Sequence, residues 1–169
     1  MGGVSLWYGR QFEFAFPADL YPNLSVRLRG TPARVEELVR DCSHEVLTRK
    51  ADGKWSAQEH VGHLLDLEPL WLKRLEDFAH GRAQLSTTDL SNRKTFEGDY
   101  NARPIKDILA GFRTERMRFV ERAEEVDPAL YSRVLTHPRL QTPMRFVDHL
   151  FFVAEHDDHH LASIWQFIH

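Results

Sequence analysis

The sequence predicts an all-α protein that folds as a four-helix bundle. Four segments place apolar residues at the three- and four-residue spacing of amphipathic helices, and strand-like alternation is nearly absent. One connection between these segments, residues 82–100, is long and polar enough to cross from one helix of a bundle to another. An α-solenoid fits less well, because no repeat period is present.

Length and composition predict a single domain over residues 1–169, with an irregular segment at 1–30. The formal net charge of −3 offers no basic field for nucleic acid or an anionic membrane. No apolar run approaches the roughly 20 residues of a membrane span, and residues 1–10 lack the pattern of a secretory signal. The single Cys42 cannot form an internal disulfide, so we predict a cytoplasmic protein.

The first and last helices are predicted to begin in the same way. Thr31 is a good N-cap and Pro32 suits the first helical position, so the first helix should start there and end near Gly53. Thr142 and Pro143 repeat this signal, and the last helix should run from there to the end of the chain.

The second helix has the clearest start. Ser56 and Glu59 have the spacing of a capping box, in which each side chain bonds the other residue's backbone N–H. This helix should end at Gly81, with a kink or a break at Pro69. A third helix is predicted over residues 104–126.

A pair of histidines on the last helix is the first functional signal. His156 and His160 are four residues apart, so their rings project from one helical face. They share a stripe with Val153, Ile164 and Phe167, which predicts that they face the core. Two inward imidazoles can bind one divalent ion, and the alternative is two buried histidines hydrogen-bonded to their neighbours.

The second helix offers a third candidate ligand, His63, which shares its face with Leu67 and Phe78. A metal site in a bundle core takes its ligands from facing helices. His63, His156 and His160 would supply three nitrogens and leave one position open, as in catalytic metal sites. For His63 alone, a core histidine bonded to a backbone group or an acid is the simpler alternative.

Two blocks of sequence together resemble the helical signatures of the DinB/YfiT-like superfamily. One is DGKWSAQEHVGHL at residues 52–64, followed by Asp66 and Glu68, and the other is HDDHHLASI at residues 156–164. RGTPAR at residues 29–34 is similar to the start of that family's first helix, and the order and separation of the blocks match. The resemblance covers nearly the whole chain after about residue 25.

The resemblance implies an up-down-down-up four-helix bundle in which His63, His156 and His160 hold a divalent metal ion, commonly nickel or zinc. It also implies a small-molecule substrate and often a homodimer. We favour a thiol S-transferase that activates a low-molecular-weight thiol, by analogy alone. A hydrolase that activates water and a non-catalytic metal-binding stress-response protein are the alternatives, and no catalytic residue is assigned.

Other histidines near these positions carry weaker predictions. His60 and His159 either line the pocket or, more often for such positions, lie at its edge or on the surface. His149 lies two turns below His156 and is expected to be buried.

Four charged residues are further candidates for the site. Asp66 and Asp157 are placed to orient a ligand ring, with solvated acids as the alternative. Arg74 and Arg145 are candidates to meet an anionic substrate group, although a salt bridge is the commoner role.

The last helix also carries a second apolar surface away from the histidines. Its members are Val147, Phe151, Ala154 and Trp165. We prefer ordinary bundle packing to a dimer contact as its explanation.

Overall fold

The computed structural model describes residues 3–51 and 53–169, and it is mainly helical. In chain order these residues form α1 (Tyr21–Val39), α2 (His44–Thr48), α3 (Ala57–Ala79), α4 (Arg93–Glu97), α5 (Ile105–Glu124), β1 (Val134–Thr136), β2 (Pro143–Arg145) and α6 (Phe146–Ile168). The four long helices α1, α3, α5 and α6 make the bundle. Of the described helices, none has both the length and the apolar composition to cross a membrane.

The helix α1 packs beside α5 and α6, and α3 packs beside the same two helices, so α1 and α3 are diagonal partners. The helices α1 and α6 are parallel, because Arg27 bonds Glu155 and Arg34, further along α1, bonds Asp158, further along α6.

The helices α3 and α5 are also parallel. Glu68 pairs with Arg116, and Glu76, later on α3, pairs with Arg122, later on α5. Glu36 near the end of α1 bonds residue 113 near the start of α5, whereas Ser25 bonds residue 124 near its end, so α1 and α5 are antiparallel. The predicted up-down-down-up bundle is confirmed.

The predicted start of the first helix is wrong. The helix α1 begins at Tyr21, with Pro22 in its first turn, so residues 21–30 are helical and not irregular. Thr31 and Pro32 are buried inside the helix. Thr31 caps nothing there, because its hydroxyl donates to a carboxylate of α6 at 2.8 Å.

The capping box at the start of α3 is confirmed. The Ser56 hydroxyl accepts from the Glu59 N–H at 3.1 Å, and the Glu59 carboxylate accepts from the Ser56 N–H at 2.8 Å. Pro69 is accommodated within one continuous helix. Early in α3, Gly62 lies against the ring of Tyr100, where a Cβ would fall 2.3 Å from ring carbons.

The helix α6 begins at Phe146, three residues after the predicted Pro143. Pro143 instead pairs with Thr136 in the antiparallel hairpin of β1 and β2, which the sequence did not predict. At the start of α6, the Asp148 carboxylate accepts from the backbone N–H of Arg145 at 2.8 Å. Arg145 therefore stabilises the start of α6 through its contacts with Asp148.

A buried ionic cluster joins the four long helices, and we define it as Thr31, Glu68, Arg116 and Asp157. Arg116 is fully buried and donates to Glu68 at 2.6 Å and to Asp157 at 2.9 Å. Thr31 donates to Asp157, and the carbonyl of Leu28 accepts from Arg116 at 3.4 Å. Burial raises the pKa of Glu68 to about 7, against the opposing effect of the Arg116 charge.

An N-terminal segment, residues 3–16, packs along α6. Phe14 and Phe16 contact Phe151, which belongs to the second apolar surface predicted on this helix. Val147 and Ala154 of that surface are fully buried, while Trp165 is 48% exposed. Packing within the chain therefore accounts for three of its four members.

Candidate metal centre

Three histidines meet between α3 and α6 near one end of the bundle. His63 comes from α3, and His156 and His160 come from successive turns of α6. One ring nitrogen from each lies within 4.8 Å of the other two, and all three residues are buried. The structure thus brings together the three residues that the sequence predicted as ligands, whose ligand role remains a prediction.

The three imidazoles are neutral at physiological pH. Burial, reinforced by the neighbouring histidines, lowers the pKa of His63 to about 3. The same causes hold the pKa values of His156 and His160 well below 6.5. Each ring therefore has one unprotonated nitrogen available as a ligand.

The orientation of His63 is fixed by Thr95 in α4. The Thr95 hydroxyl donates to the Asp66 carboxylate at 2.9 Å and lies 3.0 Å from Nδ1 of His63. Because its proton points to Asp66, the hydroxyl accepts from Nδ1–H of His63, which leaves the Nε2 lone pair free. Tyr100 also donates to Asp66, at 2.7 Å. Asp66 thus orients His63 through one intervening hydroxyl.

His60 lies closer to the centre than the edge or surface position favoured above. Its Nδ1 is 2.8 Å from Nδ1 of His160, and burial lowers its pKa to about 4. If that contact uses Nδ1–H of His160, Nε2 of His160 is left unprotonated and faces Nε2 of His156 at 3.1 Å. Two nitrogens that bind one ion tetrahedrally at 2.0–2.1 Å would be about 3.3 Å apart. Nδ1 of His156 is buried without a hydrogen-bond partner among the described residues.

The remaining candidates have other roles. Asp157 belongs to the buried ionic cluster and does not bond a histidine, so that interpretation was wrong. Arg145 bonds Asp148 at the start of α6, away from the histidines. His149 is fully buried below the centre, as expected, and His159 is half-buried beside His160.

A cleft of about 890 Å³ opens onto the three histidines. Aromatic side chains form much of its wall: Trp7, Trp55, Trp71, Phe96 and Phe152. His60 and His159 line it near the centre, and its cationic residues are Lys54, Arg74 and Arg139. Among the lining residues that the structure describes, there is no carboxylate.

The sequence model of the DinB superfamily matches residues 27–164, which is most of the chain and includes all three histidines. This chain belongs to the DinB superfamily. As a DinB-superfamily bundle it also resembles a solved structure, that of YfiT from Bacillus subtilis, described as a probable metal-dependent hydrolase with an unusual four-helix bundle topology. The two share 17% sequence identity over 94% of this chain and 91% of YfiT, with a TM-score of 0.80, which shows a common fold. None of the curated protein sequences matches this DinB-superfamily chain.

Sequence reasoning missed several residues of this site. Thr95, His137 and Arg139 come from connections without helical periodicity, and Trp7 lies before the family match. One signal was available for Arg116 of the buried ionic cluster, because a charge interrupts the apolar stripe of α5 there.

Proposed function

We propose that this protein binds one divalent ion through His63, His156 and His160, and uses it to activate a nucleophile against a small molecule in the cleft. The single observation that carries the proposal is the meeting of three neutral imidazoles at the floor of an open cleft. Three protein ligands leave a position for a reactant, whereas structural zinc sites are usually closed by four. Nickel and zinc are the ions that the superfamily resemblance implies, whereas imidazole nitrogen by itself suits zinc, nickel, copper and iron alike.

The residues present fit such an ion. Each neutral ring has one nitrogen that can act as a ligand, Nε2 of His156 and Nε2 of His160 are 3.1 Å apart, close to the spacing in a tetrahedral site, and Thr95 orients the ring of His63. A bound divalent ion would supply Lewis acidity, which lowers the pKa of a coordinated water or thiol. The polar rings of His60 and His159 beside the centre favour an enzyme over a closed structural site.

Thiol transfer to an electrophilic small molecule is the reaction we favour. A thiol has a pKa of about 8.5, so it needs only modest help to ionise at neutral pH. Hydrolysis requires a much weaker acid, water, to lose a proton. The aromatic wall formed by Trp55, Trp71 and Phe96 would also shelter a bound thiol from bulk water.

Hydrolysis is the second candidate. YfiT, which shares the fold, is described as a probable metal-dependent hydrolase. His60 contacts His160, but its Nδ1 is engaged in that contact and its pKa is lowered to about 4, so it is poorly suited to act as the general base.

The proposal is tested by metal content and then by activity. Purified wild-type protein should contain about one divalent ion per chain by elemental analysis, and His63→Ala or His160→Ala should lose most of it. His44→Ala is the matched control, because His44 is exposed on α2 and distant in sequence from the site. Equal metal content in all variants, with circular dichroism showing that each is folded, would refute the ligand assignment.

The activity assay separates the two reactions. Metal-loaded protein should accelerate the conjugation of low-molecular-weight thiols to a model electrophile, and His63→Ala should abolish that acceleration. Turnover of ester or amide substrates without any thiol would instead favour hydrolysis.

A further inference from the structure

Arg74 of α3 is a buried cation without an acidic partner. It is 1% exposed, and no carboxylate among the described residues forms an ion pair with it. Arg116, the other fully buried arginine, has two carboxylates. Burial lowers the pKa of Arg74 only to about 10, so it is charged at neutral pH. Asp77, the acid that acts on its charge, accepts from the backbone N–H of Ser86 at 2.6 Å and pairs with Arg82 at 3.4 Å.

Arg74 donates from Nε to the backbone carbonyl of Ser86 at 3.0 Å, but His137, which lies against its Nη1, cannot accept a hydrogen bond from it. Its Nδ1 accepts from the backbone N–H groups of Arg139 and Leu140, at 3.2 and 3.1 Å. Burial lowers the pKa of His137 to about 3, and a neutral ring that accepts at Nδ1 carries its proton on Nε2. Nε2–H of His137 therefore faces an N–H of Arg74 at 3.3 Å, donor against donor.

Two more donors lie along the same wall of the cleft. Nη2 of Arg139 and Nε1 of Trp71 are both buried without a hydrogen-bond partner among the described residues. Arg139 is near enough to Arg74 for its charge to lower the pKa of Arg74. Arg74, Trp71, His137 and Arg139 all line the cleft, and we define them as the donor cluster.

Unpartnered donors such as Nε1 of Trp71 and Nη2 of Arg139, and a buried guanidinium charge without a carboxylate partner, are costly to bury unless an anion joins them. The Trp71 ring is 5.3 Å from the guanidinium carbon of Arg74 and 5.5 Å from the ring of His156. Through Trp71, the donor cluster therefore adjoins the proposed metal centre.

We propose that the donor cluster binds the carboxylate or phosphate group of the substrate. This inference rests on the proposed function, which places the reactive group of the same substrate at the three histidines. It narrows the substrate class to small molecules that carry an oxyanion at one end and the reactive group at the other.

The test uses metal-free protein, so that anion binding is measured independently of the metal. The chelator must be removed by gel filtration, because chelators are themselves polycarboxylates. In chloride buffer at constant ionic strength, inorganic phosphate or benzoate should raise the melting temperature of the wild type and change its tryptophan fluorescence. Chloride alone should do neither, and the preferred probe identifies the oxyanion.

Arg74→Met should bind the preferred probe about 10- to 100-fold more weakly, since a charge-assisted hydrogen bond is lost. Its melting temperature without the probe should equal or exceed that of the wild type, because an unpaired buried charge is removed. Arg122→Met is the control, since Arg122 pairs with Glu76 and does not line the cleft. It should bind the probe normally.

Two results would overturn the inference: no probe binds the wild type, or Arg74→Met binds as tightly as the wild type. Metal content distinguishes this failure from failure of the proposed function. If the protein binds the anion through Arg74 but takes up no metal, the anion site is supported and the metal centre is refuted. If the protein takes up metal but binds no anion, the metal centre is supported and the anion site is refuted.

Discussion

Replacing Arg116 by methionine would leave two carboxylates in the bundle core without a positive partner. Glu68 and Asp157 are at most 1% exposed, so water cannot replace the guanidinium. The cheapest response is for both carboxyls to be protonated in the folded state.

The magnitude follows from the cost of that protonation. Burial already raises the pKa of Glu68 to about 7, so holding it neutral at pH 7 adds little. An aspartic acid in an unfolded chain has a pKa of about 3.9, so a folded state that keeps this carboxyl protonated loses about 4 kcal/mol at pH 7 and about 1.5 kcal/mol at pH 5. We therefore expect Arg116→Met to lose about 4 kcal/mol of unfolding free energy at pH 7, within the range for broken buried ion pairs, and less than half of that at pH 5.

The sign follows from proton linkage. The folded variant, with both carboxyls protonated, holds more protons than the folded wild type, in which Arg116 pairs with both carboxylates, while the unfolded chains differ little. The variant's unfolding free energy must then fall relative to the wild type as the pH rises.

Urea denaturation of metal-free protein at pH 5, 6 and 7, followed by circular dichroism and tryptophan fluorescence, measures this loss. Arg122→Met is the control on the same helix, because its pair with Glu76 is partly exposed and should contribute less than about 1 kcal/mol at either pH. Equal losses in the two variants, or an Arg116→Met loss that does not change with pH, would refute the reasoning.

Two further predictions concern close contacts. Gly62→Ala should lower the unfolding free energy, measured by urea denaturation, by about 1–3 kcal/mol, because the new Cβ would overlap the Tyr100 ring. Gly30→Ala has open space in α1 and should raise the unfolding free energy by up to about 1 kcal/mol. Similar changes in the two variants would contradict this packing. Thr95→Val removes the acceptor for Nδ1–H of His63 and should weaken metal affinity about 10- to 100-fold in a titration against a competing chelator, so an unchanged affinity would exclude its orienting role.

Local signals predicted the fold where they agreed with the tertiary structure. Ser56 and Glu59 bond each other's backbone, so the start of α3 could be read from adjacent residues. Thr31 and Pro32 have an equally good local signal, but the Thr31 hydroxyl is used by Asp157 from another helix. A long-range contact of that kind overrides a capping preference, and the neighbouring residues in the sequence do not indicate it.

The residues of the candidate site also differ in whether local sequence signals could predict them. His63, His156 and His160 lie on periodic helices, where spacing and apolar neighbours indicate that they face inward. Thr95 and His137 lie outside the long helices, and their positions depend on how two connections fold back against the bundle. Helical periodicity carries no information about such contacts.

Trp7 completes the cleft from outside the family match, which begins at residue 27. Its ring packs 5.0 Å from that of His156 and 5.1 Å from that of Phe152, and Arg10 anchors the segment to Glu155. The three histidines and one wall of the cleft are thus encoded in separate stretches of chain. A relative could keep the same three histidines and acquire a different substrate preference by changing only the residues that precede its bundle.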